Sequence, residues 1–159
     1  MAEGDSELQD LYREVLLDYF RDTAHKGTVE GADVHSHGIN PVCGDEIEIT
    51  LKKGPDGSLQ AIKFTGHGCV ISQASSAMMA EALQGRTVEQ AQRLVGAFKD
   101  MMLHKAPVEK LPEELEALKA LEGVRKFPMR VKCATLAWNT ISQGLGIRGS
   151  RAAEFEEVE

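Results

Sequence analysis

Three cysteines and one aspartate are the residues of this chain best suited to chemistry. Cys43 and Asp45 stand one residue apart in the stretch NPVCGDEIEI, and Cys69 and Cys133 are the other two thiols. Thiolates and carboxylates are zinc ligands, and a thiolate is also the nucleophile of sulfur exchange. The sequence contains no CxxC pair, so whether the four residues meet depends on the elements that carry them.

An alternating pattern predicts a β-hairpin between Cys43 and Cys69. A GPDG turn at 54–57 joins the two strands. The two ends of an antiparallel hairpin lie side by side, so we expect these two thiols to be neighbours. The apolar residues of the pattern are Ile47, Ile49 and Leu51 in the first strand and Ile62 and Phe64 in the second.

Helical spacing of apolar residues predicts five helices around this hairpin. Residues 26–42 are rich in Gly, His and Asp without any period, which predicts a loop with little regular structure. The order indicates an α+β fold, a small antiparallel β-sheet packed against several helices. Cys69 and Cys133 fall near predicted helix starts, where the helix dipole favours thiolate. The predicted helices cover about 6–25, 71–84, 87–98, 112–122 and 128–143.

Cys43, Asp45, Cys69 and Cys133 thus form a candidate tetrahedral zinc site. The Cys-Gly-Asp spacing places the first two side chains on the same side of an extended chain, so both can reach one ion. The alternative is structural. Free cysteines are often small buried apolar side chains, and an aspartate often begins a strand.

Composition excludes several classes of function. The 159 residues are 42% hydrophobic, enough for a core, and the formal net charge of −7 gives no footprint for nucleic acid. The apolar runs are too short for a membrane helix, and the acidic beginning lacks a signal layout. We therefore expect a cytoplasmic protein with reduced thiols. Residues 1–147 are predicted to form a single domain, and 148–159 a flexible acidic tail.

Two longer stretches resemble the U-type iron–sulfur assembly family, which is IscU/NifU-like and has a SufE/IscU-like fold. The first, NPVCGDEIEITLKKGPDGSLQAIKFTGHGCVISQASSAMMAEALQG, contains Cys-Gly-Asp before a strand and Gly-Cys-Val-Ile-Ser before a helix of small residues. The second, FPMRVKCATLAW, carries the third cysteine. Lys132 stands where IscU-like members have His, and roughly twenty extra residues lie within 99–127. Both features favour the zinc-dependent SufU-type sulfurtransferases.

The resemblance implies that Cys43, Asp45, Cys69 and Cys133 hold zinc. It also implies a partner, a pyridoxal-phosphate cysteine desulfurase of the SufS kind, whose persulfide sulfur is accepted and passed to a downstream iron–sulfur scaffold. In the family, a partner histidine takes a zinc position and frees the cysteine that matches Cys43, which then attacks the persulfide. Arg130 and Lys132 are candidate supporting residues. Arg130 could hydrogen-bond Asp45 or be a solvated side chain at the helix start, and Lys132 could stabilise a persulfide anion or simply point outward.

Two other functions remain open from the sequence. The same four ligands could assemble a [2Fe–2S] cluster, or the zinc could be purely structural. His35, His37 and His67 lie close to the cysteines in the chain and could act as extra ligands or proton relays. Solvated surface histidines are the simpler interpretation of all three.

Overall fold

A three-stranded antiparallel sheet, with its strands side by side in chain order, forms one layer of the molecule, and helices cover its inner face. The computed structural model describes residues 2–147, with side chains from residue 8 onward, so the predicted tail at 148–159 lies outside the described residues. The elements in chain order are α1 (Ala2–Arg21), β1 (Val34–Asn40), β2 (Asp45–Lys53), β3 (Leu59–His67), α2 (Val70–Leu83), α3 (Val88–Met102), 3₁₀ segments Val108–Lys110 and Glu113–Lys126, and α4 (Pro128–Gly144).

The predicted loop at 26–42 is wrong for its second half, because Val34–Asn40 forms strand β1. Its inward residues are Ser36, Gly38 and Asn40, which are small or polar and carry no apolar signal. They face α4 so closely that a Cβ on Gly38 would collide with Thr140. The Ser36 hydroxyl donates a hydrogen bond to the Thr140 carbonyl at 2.7 Å. The period of two is present, but in residue size and not in hydrophobicity.

The other predicted elements are confirmed, with shifted ends. The hairpin, α2, α3 and α4 follow the predicted ranges closely, whereas α1 ends earlier, at Arg21. The short helix predicted over about 112–122 is a longer 3₁₀ segment, Glu113–Lys126. Thr87 and Gln90 form the capping box of α3, with reciprocal bonds of 3.1 and 3.0 Å. The inward faces of the sheet and helices enclose one apolar core. At its centre, Trp138 packs against Phe98 with ring centroids 4.6 Å apart.

Strand pairing brings the chemically active residues to one end of the sheet. Asn40 pairs with Asp45 across the turn that contains Cys43, and Glu46 pairs with His67 just before Cys69. The first turns of α4 lie against the same end, since Met129 contacts the Cys43 sulfur. Among the described residues, no helix is long and apolar enough to cross a membrane.

Candidate metal centre

Three of the four predicted ligands form a compact group. Cys43, Asp45 and Cys133 each bring one ligand atom within 4.8 Å of the other two. Zinc–sulfur bonds of about 2.3 Å in a tetrahedron place ligand atoms roughly 3.8 Å apart, so small side-chain adjustments suffice. Asp45 and Cys133 are buried, while Cys43 is half-buried. The residues that the sequence separates by as much as 90 positions therefore meet.

Cys69 joins this group through Cys133 and through its own backbone. Its thiol shares a hydrogen bond with the Cys133 thiol, and its N–H donates to Asp45 Oδ1 at 3.0 Å. Cys69 is also the N-cap of α2, as predicted, and its sulfur accepts from the Ser72 N–H at 3.5 Å. All four predicted ligands thus lie at one end of the fold, although Cys69 is outside the group of mutually close ligand atoms.

The thiols of Cys69 and Cys133 have unequal acidities in the metal-free protein. The hydrogen bond from Cys133, assisted by the Ser72 and Ile71 N–H groups, lowers the pKa of Cys69 to about 6 against the opposing effect of burial. The same hydrogen bond, together with burial and the neighbouring Asp45, raises the pKa of Cys133. Cys69 is therefore the thiolate and Cys133 the donor of this pair when no metal is bound.

The Asp45 carboxylate is fixed by donors from two elements. Oδ1 accepts from the Cys69 N–H and from the Ser72 hydroxyl at 3.2 Å, and Oδ2 faces the Asn40 amide at 3.4 Å. The Asp45 carboxylate can lie this close to the start of α2 only because residue 68 is glycine. A Cβ on Gly68 would overlap both Asp45 Oδ1 and Ser72 Oγ. These contacts hold the carboxylate in one orientation, with Oδ1 turned to the start of α2 and Oδ2 turned to β1.

Cys43 is held differently, on the turn between β1 and β2. Its sulfur lies 3.9 Å from the Met129 carbonyl oxygen and close to the Cys133 thiol. Gly44 follows with a φ of +74°, a left-handed conformation that favours glycine. The N–H of Gly44 donates to the Asn40 carbonyl at 2.9 Å, which closes the turn.

The two predicted supporting residues differ in their surroundings. Arg130 is an exposed side chain at the start of α4, as one of its two predicted interpretations has it, and it hydrogen-bonds Cys69 instead of Asp45. The negative charge of the Cys69 thiolate raises the pKa of Arg130. The prediction for its partner is therefore corrected from carboxylate to thiolate. Lys132 is half-buried on α4 beside Cys133, and its role with a persulfide stays a prediction.

The histidines near the cysteines face away from the candidate ligands. His35, His37 and His67 are exposed, in agreement with the simpler interpretation. His37 Nε2 lies 2.6 Å from Glu46 Oε2, and His67 Nε2 lies 3.4 Å from Glu46 Oε1. Glu46 and Asp45 are consecutive on β2, so their side chains point to opposite faces of the sheet.

Asn40, Ser72 and Gly68 shape the site but were not predicted from the sequence. Each lies within three residues of a candidate ligand, and Ser72 ends the Gly-Cys-Val-Ile-Ser motif. Proximity to a cysteine was the available signal. It does not show which neighbour points inward, because that depends on the turn and the helix start.

An apolar groove opens beside the site. Its volume is about 940 Å³, and α1, the start of α2 and the end of Glu113–Lys126 line it, with Cys69 and Arg130 at one edge. The wall made by Glu113–Lys126 belongs to the predicted insertion at 99–127. Several apolar side chains at the site and groove are unusually exposed for their type, namely Val42, Val70, Phe127 and Met129.

The donor set fits a zinc ion. Three thiols and a buried carboxylate supply four ligands of the types that zinc takes in tetrahedral sites. The side-chain oxygen Oδ1 of Asn40 is buried without a hydrogen-bond partner among the described residues, so this end of the core is polar and not fully satisfied. Asp45 and Cys133 are buried and Cys43 and Cys69 are half-buried, so the group matches a metal centre with an accessible side.

A small antiparallel sheet covered by helices, with thiols and a carboxylate gathered at one end, is the architecture of U-type domains. Residues 11–145 match the family model described as the NifU-like N terminal domain. The chain belongs to this family. A solved NifU-like N-terminal domain from Brucella abortus shares the fold, with a TM-score of 0.77 at 21% identity over 91% of this chain and 98% of that chain.

Relatives with higher sequence identity include proteins named for each of two functions, sulfur transfer and cluster scaffolding. The zinc-dependent sulfurtransferase SufU of Bacillus subtilis (strain 168) is 39% identical over 138 residues, covering 87% of this chain and 91% of the relative. The iron-sulfur cluster assembly scaffold protein IscU of Streptococcus pyogenes serotype M1 is also 39% identical, over 88% of this chain and 86% of its own. A structure from Fervidobacterium islandicum AW-1, described as a putative iron-sulfur cluster assembly scaffold protein for the SUF system, has a TM-score of 0.75 at 32% identity, covering 83% of this chain and 94% of that one.

Proposed function

We propose that this protein is a zinc-dependent sulfurtransferase of iron–sulfur cluster assembly. It takes sulfur from a pyridoxal-phosphate cysteine desulfurase of the SufS kind and delivers it to a downstream scaffold. The observation that carries the proposal is the position of Cys43, a half-buried thiol on a turn, whose sulfur lies within 4.8 Å of ligand atoms of Asp45 and Cys133. The similarity to a relative named a zinc-dependent sulfurtransferase supports it.

The chain's own residues divide the work. Cys43, Asp45, Cys69 and Cys133 would hold the zinc, which when bound keeps the thiols deprotonated at neutral pH. The other three ligands are anchored by regular elements. Asp45 begins strand β2, Cys69 is the N-cap of helix α2, and Cys133 lies in helix α4. Cys43 can leave the group by a movement of the 41–44 turn alone, because the neighbouring strands are paired up to Asn40 and Asp45.

The proposed transfer is a thiol–persulfide exchange. The Cys43 thiolate attacks the terminal sulfur of the desulfurase persulfide, and a new S–S bond forms as the old one breaks. The desulfurase cysteine leaves as a thiolate, and Cys43 becomes the persulfide. No net oxidation or reduction occurs. Arg130, beside Cys69, places a positive charge where negative sulfur accumulates.

The surroundings of the site suit docking of a protein partner. Val42, Val70, Phe127 and Met129 are between 37% and 60% exposed and lie on the segments that carry Cys43, Cys69 and Cys133. Exposed apolar side chains concentrated at one place mark interaction sites on otherwise polar surfaces. A desulfurase that covers this rim would bring its persulfide to Cys43 and exclude water from the exchange.

The proposal is tested by desulfurase turnover. Purified zinc-loaded protein is mixed with a SufS-type desulfurase and L-cysteine, and alanine formation is followed with wild type and Cys43→Ser. We expect stimulation by the wild type and turnover at the level of the desulfurase alone with Cys43→Ser. Equal stimulation by both proteins would contradict the assignment of Cys43 as acceptor.

Assembly of a [2Fe–2S] cluster on the same four residues is the second candidate function. The 39% identity to a relative named a scaffold protein favours it. Anaerobic incubation with ferrous iron and sulfide distinguishes the two. A scaffold would acquire stoichiometric iron and acid-labile sulfide with visible absorption, whereas the sulfurtransferase would retain about one zinc per chain and stay colourless.

A further inference from the structure

Asn40 is a fully buried amide that faces two candidate ligands at once. It is the last residue of β1, with 0% of its surface exposed. Its Nδ2 lies 3.4 Å from Asp45 Oδ2 and 3.7 Å from Cys133 Sγ. An amide nitrogen has two N–H donors, so one donor is available for each ligand.

The orientation of this amide follows from its neighbours. Exchanging the nitrogen and oxygen of the side chain would place the carbonyl oxygen against a carboxylate and a sulfur, both of which are acceptors. The amide nitrogen therefore donates to the carboxylate and to the Cys133 sulfur, whose own proton is directed to Cys69. The cost is that Asn40 Oδ1 remains without a partner among residues 2–147.

The sheet fixes Asn40 independently of the site. Its Cα is paired with that of Asp45, and its carbonyl accepts the Gly44 N–H, so it supports both sides of the turn that carries Cys43. The amide is therefore a rigid donor whose position does not depend on the ligands.

The donors around Asp45 are distributed unevenly. Oδ1 already accepts from the Cys69 N–H and the Ser72 hydroxyl, whereas the Asn40 amide is the donor to Oδ2. The Cys133 thiol also hydrogen-bonds the Asp45 carboxyl, but it gives up its proton when it binds a metal, so Oδ2 then has a lone pair available for coordination. Oδ2, oriented by Asn40, is thus the atom of Asp45 that can bind a metal.

We propose that Asn40 is a positioning residue of the metal centre, which orients Asp45 Oδ2 and Cys133 Sγ for coordination with its two N–H donors. Cys43 receives no such donor: among the described residues, no backbone N–H or side-chain amide hydrogen-bonds its sulfur. Asn40 therefore strengthens two permanent ligands relative to the one that must leave. This inference rests on the proposed function, since it takes the same four residues as ligands.

The test measures zinc affinity by competition with a chromophoric chelator, using the full chain. Asn40→Leu and Asn40→Ser remove the amide, and two replacements of different polarity guard against a failure of either to fold. We expect zinc affinity to fall about 10–100-fold, as for other residues that orient metal ligands. Asn40→Leu also removes the unpartnered side-chain oxygen Oδ1. The melting temperature of the metal-free Asn40→Leu protein should therefore not fall in parallel with its zinc affinity.

Asn139 provides a matched control. It is also a buried asparagine whose Oδ1 lacks a partner, but it lies further along α4, and within the described part of the chain it makes no hydrogen bond to a candidate ligand. Asn139→Leu should leave zinc affinity unchanged. In the cobalt-substituted protein, the visible ligand-field bands should shift in the Asn40 variants and remain in place in Asn139→Leu.

The outcomes separate this inference from the proposed function. If wild type binds about one zinc and both Asn40 variants bind it equally well with unshifted cobalt bands, the role of Asn40 is refuted and the metal centre stands. If wild type binds no zinc, both ideas fail. Weaker binding in the Asn40 variants but not in Asn139→Leu supports the proposal.

Discussion

The Cys43 turn and the Asp45–Cys69–Cys133 pocket supply ligands to the same candidate centre but are built in opposite ways. In the pocket, backbone N–H groups, a hydroxyl and an amide hold the side chains, and Asp45 and Cys133 are almost completely buried. On the turn, Cys43 is half-buried, and its sulfur lies beside the Met129 carbonyl and the Cys133 thiol. In the function that we propose, the pocket retains the metal, whereas the turn delivers the reactive sulfur.

The largest expected effect concerns ionisation inside the pocket. In the metal-free protein, the thiolate absorbance of Cys69 should titrate with a pKa of about 6, because Cys133 donates a hydrogen bond to its sulfur. Cys133→Ala removes the donor and should move this titration to higher pH. The step is assigned by its loss in Cys69→Ser, and an unchanged step in Cys133→Ala would show that the thiol pair is not coupled.

Crowding the pocket should weaken metal binding and stability together. Gly68→Ala places a methyl group against Asp45 Oδ1 and Ser72 Oγ, so we expect a loss of about 1–3 kcal/mol in the free energy of unfolding and weaker zinc binding. Gly123→Ala is the control, since a Cβ there meets open space. Denaturant unfolding of both variants checks the difference. Equal behaviour would mean that the close approach at Gly68 is unimportant.

Straining the turn should affect transfer and spare the metal. Gly44→Ala forces alanine into a left-handed conformation at a cost of roughly 1–2 kcal/mol, without a steric clash. Gly85 has a φ of +87° and equally open space, so Gly85→Ala should lose similar stability. We expect only Gly44→Ala to slow sulfur acceptance, measured by single-turnover mixing with the loaded desulfurase. Similar rates in both variants would argue against the turn as the moving part.

The smallest effect should come from the exposed rim. Phe127→Ser removes an apolar side chain that is 59% exposed beside the site. Phe127 is the N-cap residue of α4, and serine is favoured at that position, so the start of the helix should be preserved. The desulfurase concentration needed for half-maximal stimulation should rise about fivefold, or ~1 kcal/mol. Leu103→Ser, at a 48% exposed position outside the groove, should have no effect. If both variants behave alike, the rim is not the docking surface.

The sequence predicted the elements with strong apolar periods and missed the one without them. β2, β3 and α2 were visible in runs such as Ile47, Ile49 and Leu51, whereas β1 buries Ser36, Gly38 and Asn40 against α4. A strand that packs through close backbone approach gives no hydrophobic signal. It becomes recognisable only when the helix that covers it is known.

The candidate ligands could be predicted, but not the residues that hold them. Cysteine spacing, hairpin geometry and the family resemblance led to Cys43, Asp45, Cys69 and Cys133, which the structure places at one end of the sheet. Asn40 and Ser72 are ordinary polar residues in the sequence. Their roles depend on side-chain directions across a turn and a helix start, and the same uncertainty produced the incorrect partner for Arg130.

Locating the transferred sulfur tests the difference between turn and pocket most directly. Zinc-loaded protein is reacted with desulfurase and L-cysteine, its persulfide is trapped by alkylation, and the digested peptides are analysed by mass spectrometry. We predict that one added sulfur atom is found on the peptide containing Cys43, with the Cys69 and Cys133 peptides unmodified. Added sulfur on either pocket cysteine, with Cys43 unmodified, would contradict the account.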